Sequence, residues 1–195
     1  MAIGDDTIFS LTVLTLLIGI GAFIVLANIR SRRAHTSAYA EMARRFAGNY
    51  SEGKHVFETR VEAAVDGIAV SLFVYREPRS RRSRLLTCAS APAPLGYACR
   101  SAPSALVPLV VNGAPTGDSA YDSTFAVTGT DPLWTPRVFD DEIRKRHTEL
   151  PEATIEVHDG RVDVMDPGLI VDVARLDRLV RLAAAVSRSA LSGRS

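Results

Sequence analysis

IFSLTVLTLLIGIGAFIVLANI, residues 8–29, contains no charged side chain. About 20 helical residues, each rising ~1.5 Å, cross a ~30 Å hydrocarbon core, so this stretch predicts a membrane-spanning helix. Read as a span, it divides the chain into a short lead (1–7), the span (8–29), a basic junction (30–35) and one domain (36–195). The last piece, about 160 residues, is long enough to bury a core of its own. A cleaved secretory signal is the competing reading. It calls for a basic leader and an apolar region of about 7–15 residues. Here the leader MAIGDDT has Asp5 and Asp6 but no Lys or Arg, and the run is longer. A retained anchor is therefore expected.

Charge gives the span a direction. Arg30, Arg32 and Arg33 follow it, then Arg44 and Arg45, while nothing basic precedes it. Cytoplasmic flanks collect Lys and Arg. The expectation is a single-pass protein of a bacterial cytoplasmic membrane with its N-terminus outside and its domain in the cytoplasm. Arg30, Arg32 and Arg33 are also the membrane-proximal contacts for anionic lipid headgroups, at ~1 kcal/mol per basic residue. Thr12, Thr15, Gly19 and Ala22 recur at helical spacing within the span. Small residues let helices approach closely in lipid, so this side is the candidate packing face for another membrane protein or a second copy.

Downstream, the patterns alternate between helix and strand. Ser37–Ala47 has Tyr39, Met42, Ala43 and Phe46 on one side and predicts a short amphipathic helix ended by Gly48-Asn49. Val56–Ala64 and Ile68–Tyr75 alternate around Asp66-Gly67, a strong hairpin turn. Leu85–Ala89 is a third strand, with further strands near Tyr97–Arg100 and Leu106–Val111. Pro136–Thr148 reads as a helix with Thr135 as its cap and Pro at the first position. Thr154–His158 and Arg161–Met165 flank Asp159-Gly160 as a second hairpin. Val173–Leu191, capped by Asp172, is a long amphipathic helix with Val173, Leu176, Leu179, Val180, Ala183, Val186 and Ala190 on its apolar side. The fold class expected is α+β: an N-terminal transmembrane helix, then an antiparallel sheet built from hairpins and covered by the long C-terminal helix.

The functional signals are few. The net charge of +1 argues against a polycationic nucleic-acid binder. Only Lys54 and Lys145 among the 23 basic residues are lysine, so arginine is this chain's default cation. REPRSRRSR, residues 76–84, concentrates Arg76, Arg79, Arg81, Arg82 and Arg84 in a loop. These are candidate contacts for anionic lipid or an acidic partner, with neither aromatic residues nor a motif for nucleic acid. Cys88 and Cys99 lack metal-site spacing and are read as reduced thiols or one bridge. In TGDSAYDSTFAVTGTDP, Asp118, Asp122 and Asp131 match no calcium loop and are read as turn and cap residues. No residue is assigned to catalysis, to a cofactor or to a metal.

The order of elements and the motif TGD…YD..F.V resemble a class of bacterial membrane-anchored domains with a Gly-Asp…Phe-Asp…Phe motif before a last helix–hairpin–helix. This sequence has Tyr121 where that class has an aromatic, usually Phe, followed by Asp122 and Phe125. The resemblance spans most of residues 36–191. It implies the architecture, and structurally demanding roles for Gly117, Asp118, Asp122 and Phe125, but no activity. Three readings follow, in order. The first is a non-enzymatic accessory or scaffolding subunit of a membrane complex. The second is a membrane-tethered ligand- or anionic-lipid-binding module using the 76–84 loop. The third is a hydrolase built on Asp118, Asp122 and a distant His147 or His158.

Overall fold

The computed structural model describes residues 5–55, 58–76, 83–90, 96–101, 113–168 and 170–192; the side chains of 5–12, 76 and 83–85 lie outside that description. Helix α1 runs Asp5–Arg45 without a break. The expected span and the expected amphipathic helix after it are therefore one element. Nothing between Ile29 and Ser37 stops a helix: there is no Pro or Gly, and Ala34 and the three arginines are good helix formers. Thr36 and Ser37 lie inside the helix rather than capping a new one. The helix is long and apolar enough to cross a membrane, and from Val13 to Ile29 its side chains are exposed. Its last turns enter the core through Tyr39, Met42 and Ala43.

Among the described residues, eight strands form one antiparallel sheet: β1 Asn49–Ser51, β2 Arg60–Val65, β3 Ile68–Arg76, β4 Ser83–Ser90, β5 Tyr97–Ser101, β6 Phe125–Gly129, β7 Thr154–His158 and β8 Arg161–Pro167. Their order is β1-β2-β3-β4-β8-β7-β5-β6. The two expected hairpin turns form, with positive φ at Asp66 and Gly67 and again at Asp159 and Gly160. That is the backbone a two-residue hairpin loop demands. The pairing of β4 with β8 joins the N-terminal meander to the C-terminal hairpin. The register then lines up one row straight across seven strands: Val61, Leu72, Thr87, Val164, Ile155, Cys99 and Val127. All seven are buried. The next row, on the opposite face, is Glu62, Ser71, Cys88, Asp163, Glu156, Ala98 and Thr128. A period of two side chains makes one face the core and the other polar.

Helix α5, Val173–Ser192, covers the apolar face over β2, β3, β4 and β8. Asp172 caps it by accepting from Ala174 N at 2.9 Å. Leu176, Leu179 and Leu182 are fully buried, each contributing ~1.5–3 kcal/mol of hydrophobic burial. Its buried stripe is wider than the sequence pattern, because α1, α3 and α4 also pack against it. Two ion pairs fix it in place. Arg175 grips the buried Asp166 of β8 at 2.8 and 3.0 Å, and Arg188 meets Asp66 of the first hairpin turn at 2.7 Å.

The helix expected over Pro136–Thr148 is two: α3, Thr135–Val138, and α4, Asp141–Thr148. Asp140 interrupts it with extended backbone and caps α4 by accepting from Ile143 N. A short helix, α2, Ser119–Asp122, precedes β6. Cys88 and Cys99 are free thiols. They cannot bridge: they lie on opposite faces, with β8 and β7 between their strands. The strand expected near Leu106–Val111 lies outside the described residues.

Candidate functional site

The motif around Gly117 builds a compact knot. Gly117 has φ +88°, a conformation open to glycine and strained for other residues. The Asp118 carboxylate accepts from the backbone N–H groups of Ala120 and Tyr121 at 3.0 and 3.1 Å, capping α2. Those bonds, Tyr121's first, together with the Arg144 guanidinium at 3.4 Å, hold its carboxyl below the ordinary carboxylate range. The Asp122 carboxylate folds back and accepts from Thr116 N, Thr116 Oγ1 and Gly117 N at 3.0, 2.8 and 3.2 Å. Both aspartates are thus spent on backbone donors that the tight chain reversal leaves without partners.

Beneath the knot lies a buried polar chain. His147, from α4, donates its Nε2 proton to the Ala153 carbonyl at 2.9 Å, which leaves Nδ1 as the acceptor. The Tyr121 hydroxyl donates to that Nδ1 at 2.6 Å, and Cys99 Sγ lies 3.2 Å from the same hydroxyl oxygen. Phe125 stacks on the Tyr121 ring and packs tilted against the His147 ring, with centroids 4.6 and 4.3 Å apart. Burial lowers the His147 pKa to about 4 and raises that of Cys99 to about 12. It also pushes the Tyr121 phenol well above its usual value. The chain is neutral from end to end. A cysteine beside a histidine invites a nucleophile–base reading, but desolvation works against the thiolate–imidazolium pair that chemistry needs. Of the hydrolase candidates, Asp118 and Asp122 hold the turn and His147 holds the buried chain, connected only through Tyr121, and each is engaged in a structural bond. His158 stands elsewhere.

A second polar cluster sits on the open face of the sheet, around Asp163. Arg161 donates to its Oδ2 at 2.9 and 2.6 Å, the Cys88 thiol to Oδ1 at 3.0 Å, and His158 Nε2 lies 3.1 Å from Oδ2. His158 Nδ1 faces Asp159 at 3.1 Å. With a carboxylate at each ring nitrogen, Asp159's the stronger, the His158 pKa is raised. Desolvation, then the bond to Asp163, pushes the Cys88 thiol up to about 12, so it stays a protonated donor. The carboxylate is central here and the histidine peripheral, the reverse of a catalytic triad.

The membrane-directed residues are all on α1. Thr15, Gly19 and Ala22 are exposed, and the space around Gly19 is open; the side chain of Thr12 lies outside the described residues. His35 and Tyr39, which stack at 4.1 Å as the helix enters the domain, follow Gly19 by 16 and 20 residues. At about 100° per residue, Gly19 points away from the domain side. Arg32 turns toward the segment after β1, donating to the Gly53 carbonyl at 3.3 Å with Glu52 3.9 Å away. Arg30 and Arg33 are exposed. Of the loop arginines, Arg79, Arg81 and Arg82 lie outside the described residues, as do the side chains of Arg76 and Arg84.

The fold thus defines a class: one apolar N-terminal helix running unbroken into an α+β domain whose eight-stranded sheet carries helices on one face. No family model matches the sequence, and no curated protein matches it significantly. Among solved structures, the crystal structure of the mycobacterial trehalose monomycolate transport factor A, TtfA, is similar. Its TM-score is 0.54 at 13% identity, over 80% of this chain and 94% of that one. At that identity, the likeness is one of fold.

Proposed function

We propose that this chain is a non-enzymatic accessory subunit of a membrane protein complex. In this reading α1 anchors it, the N-terminus lies outside and the domain lies in the cytoplasm. The observation that carries the reading is the continuity of α1: one helix is bare and apolar over its first part and built into the domain core over its last turns. A bare apolar helix surface needs lipid or another helix. A rigid join makes the domain respond to whatever that helix packs against. The basic flank supports the orientation. The similar structure, TtfA, is named a transport factor, which accords with an accessory role at a membrane.

Photo-cross-linkers at Gly19 and at Leu17, on opposite sides of α1, provide the test in native membranes. Gly19 is expected to give a discrete adduct with another membrane protein or a second copy, and Leu17 much less. Equal labelling at both sites, or none with a monomeric extract, would remove the packing face and the accessory role with it. Protease digestion of the domain in intact cells would reverse the orientation.

A further inference from the structure

We propose that the groove between α1 and the segment following β1 binds the headgroup of an anionic phospholipid. The groove, about 410 Å³, is lined by Ile29, Arg32, Arg33, Thr36, Ser37 and Glu52, among others. It rests on the reading of α1 as a membrane anchor, because that reading fixes its depth. Ile29 ends the apolar run. At ~1.5 Å per residue, Arg32 and Arg33 lie ~5–6 Å beyond it, within the headgroup layer of ~5–7 Å that separates the hydrocarbon edge from water.

The walls suit a phosphodiester. Arg32 is held across the groove by its hydrogen bond to the Gly53 carbonyl. Pinned in this way, it presents its guanidinium with less of the rotamer entropy that a free arginine must lose on binding. Arg33 is exposed and forms no ion pair among the described residues, so its charge is available. Ser37 adds a hydroxyl donor one turn further on, while the Thr36 hydroxyl is turned to Tyr50. Above the groove, Val25 and Ile29 are exposed and one turn apart on the same side of α1, an apolar track for the lipid's chain. The groove also holds an opposing carboxylate, Glu52, which limits the net charge of these side chains to +1. A soluble phosphate would meet the same donors but would gain nothing from the apolar track. A lipid uses both parts, and it is the occupant we assign.

Native mass spectrometry of the full chain from detergent micelles, with equimolar phosphatidylglycerol and phosphatidylcholine, reads the preference directly. The wild type should retain the anionic lipid about fivefold or more over the zwitterionic one. Arg33→Gln should cut that ratio about fivefold, the worth of one interfacial arginine. Glu52→Gln should raise it. That opposite sign separates a lipid site from a merely structural pair: if both variants shift retention the same way, or Arg33→Gln leaves it unchanged, the groove is not a lipid site. Displacement of the lipid by glycerol 1-phosphate would overturn the assignment in favour of a soluble phosphate. An alkaline wash of native membranes tests the anchor separately. Release of the wild-type chain would sink the anchor reading, whereas a retained chain with no lipid preference would sink the groove alone.

Discussion

His147 shows what a buried polar side chain does in this core. It is fully buried, yet both ring nitrogens are engaged, by Ala153 and by Tyr121. Its pKa falls to about 4 in the folded chain, from an ordinary value of 6.5. As pH drops through 6.5 the unfolded chain takes up the proton first. The stability owed to neutral His147 is therefore complete above about 6.5, declines below it and is gone near 4, a loss on the order of 3 kcal/mol. Urea unfolding of the full chain in micelles at pH 7.5 and 4.5 should show a steeper acid loss in wild type than in His147→Gln; equal losses would refute the assignment. The sequence carried a signal for this residue. Ile143, His147 and Leu150 stand at i, i+4 and i+7, the spacing of a core stripe. The partners Tyr121 and Cys99 carried none, being 26 and 48 residues away.

At the scale of the element, the end of α1 shows chain direction being set by a contact. The sequence names Gly48 as the residue that ends the helix. The left-handed residue is instead Ala47, at φ +48°, followed by Gly48 N donating to the Ala43 carbonyl at 2.8 Å. Gly48 is required for a different reason: a Cβ there would lie 2.4 Å from the Glu62 carbonyl of β2. Ala47→Gly should stabilise the fold by ~1 kcal/mol by removing the left-handed penalty. Gly48→Ala should destabilise it, since the nearest atoms are β2 backbone and the Ala63 Cβ fixed to it, which cannot yield. Thermal unfolding of the two variants decides: a Gly48→Ala protein as stable as wild type would disprove the close approach. The split of α3 from α4 has a similar origin. Asp140 reads as a helical acid beside Asp141, and only the packing of Val138, Phe139 and Ile143 into the core makes it a cap.

For the whole molecule, the unbroken α1 implies rigidity between its apolar part and the domain. Spin labels at Leu17 and Arg44 on α1 are separated by 27 residues, about 40 Å of helix. Their distance distribution in nanodiscs should be narrow. Ala34→Pro, at an exposed position, should broaden and shorten it by breaking the helix between its apolar part and the domain. A broad wild-type distribution would contradict a rigid join and weaken the accessory reading that depends on it. The long apolar helix, both Asp-Gly hairpins and the long last helix were determined by the sequence alone, because each is written in neighbouring residues: apolar length, positive-φ turn chemistry and 3.6-residue spacing. The tertiary structure alone decided that β4 pairs with β8, that the two cysteines face opposite ways, that Tyr121 and His147 meet, and that Arg32 turns back to the segment after β1. Those contacts join residues far apart in the chain, and which distant strands pair is settled by the burial of the whole sheet face, not by any local pattern.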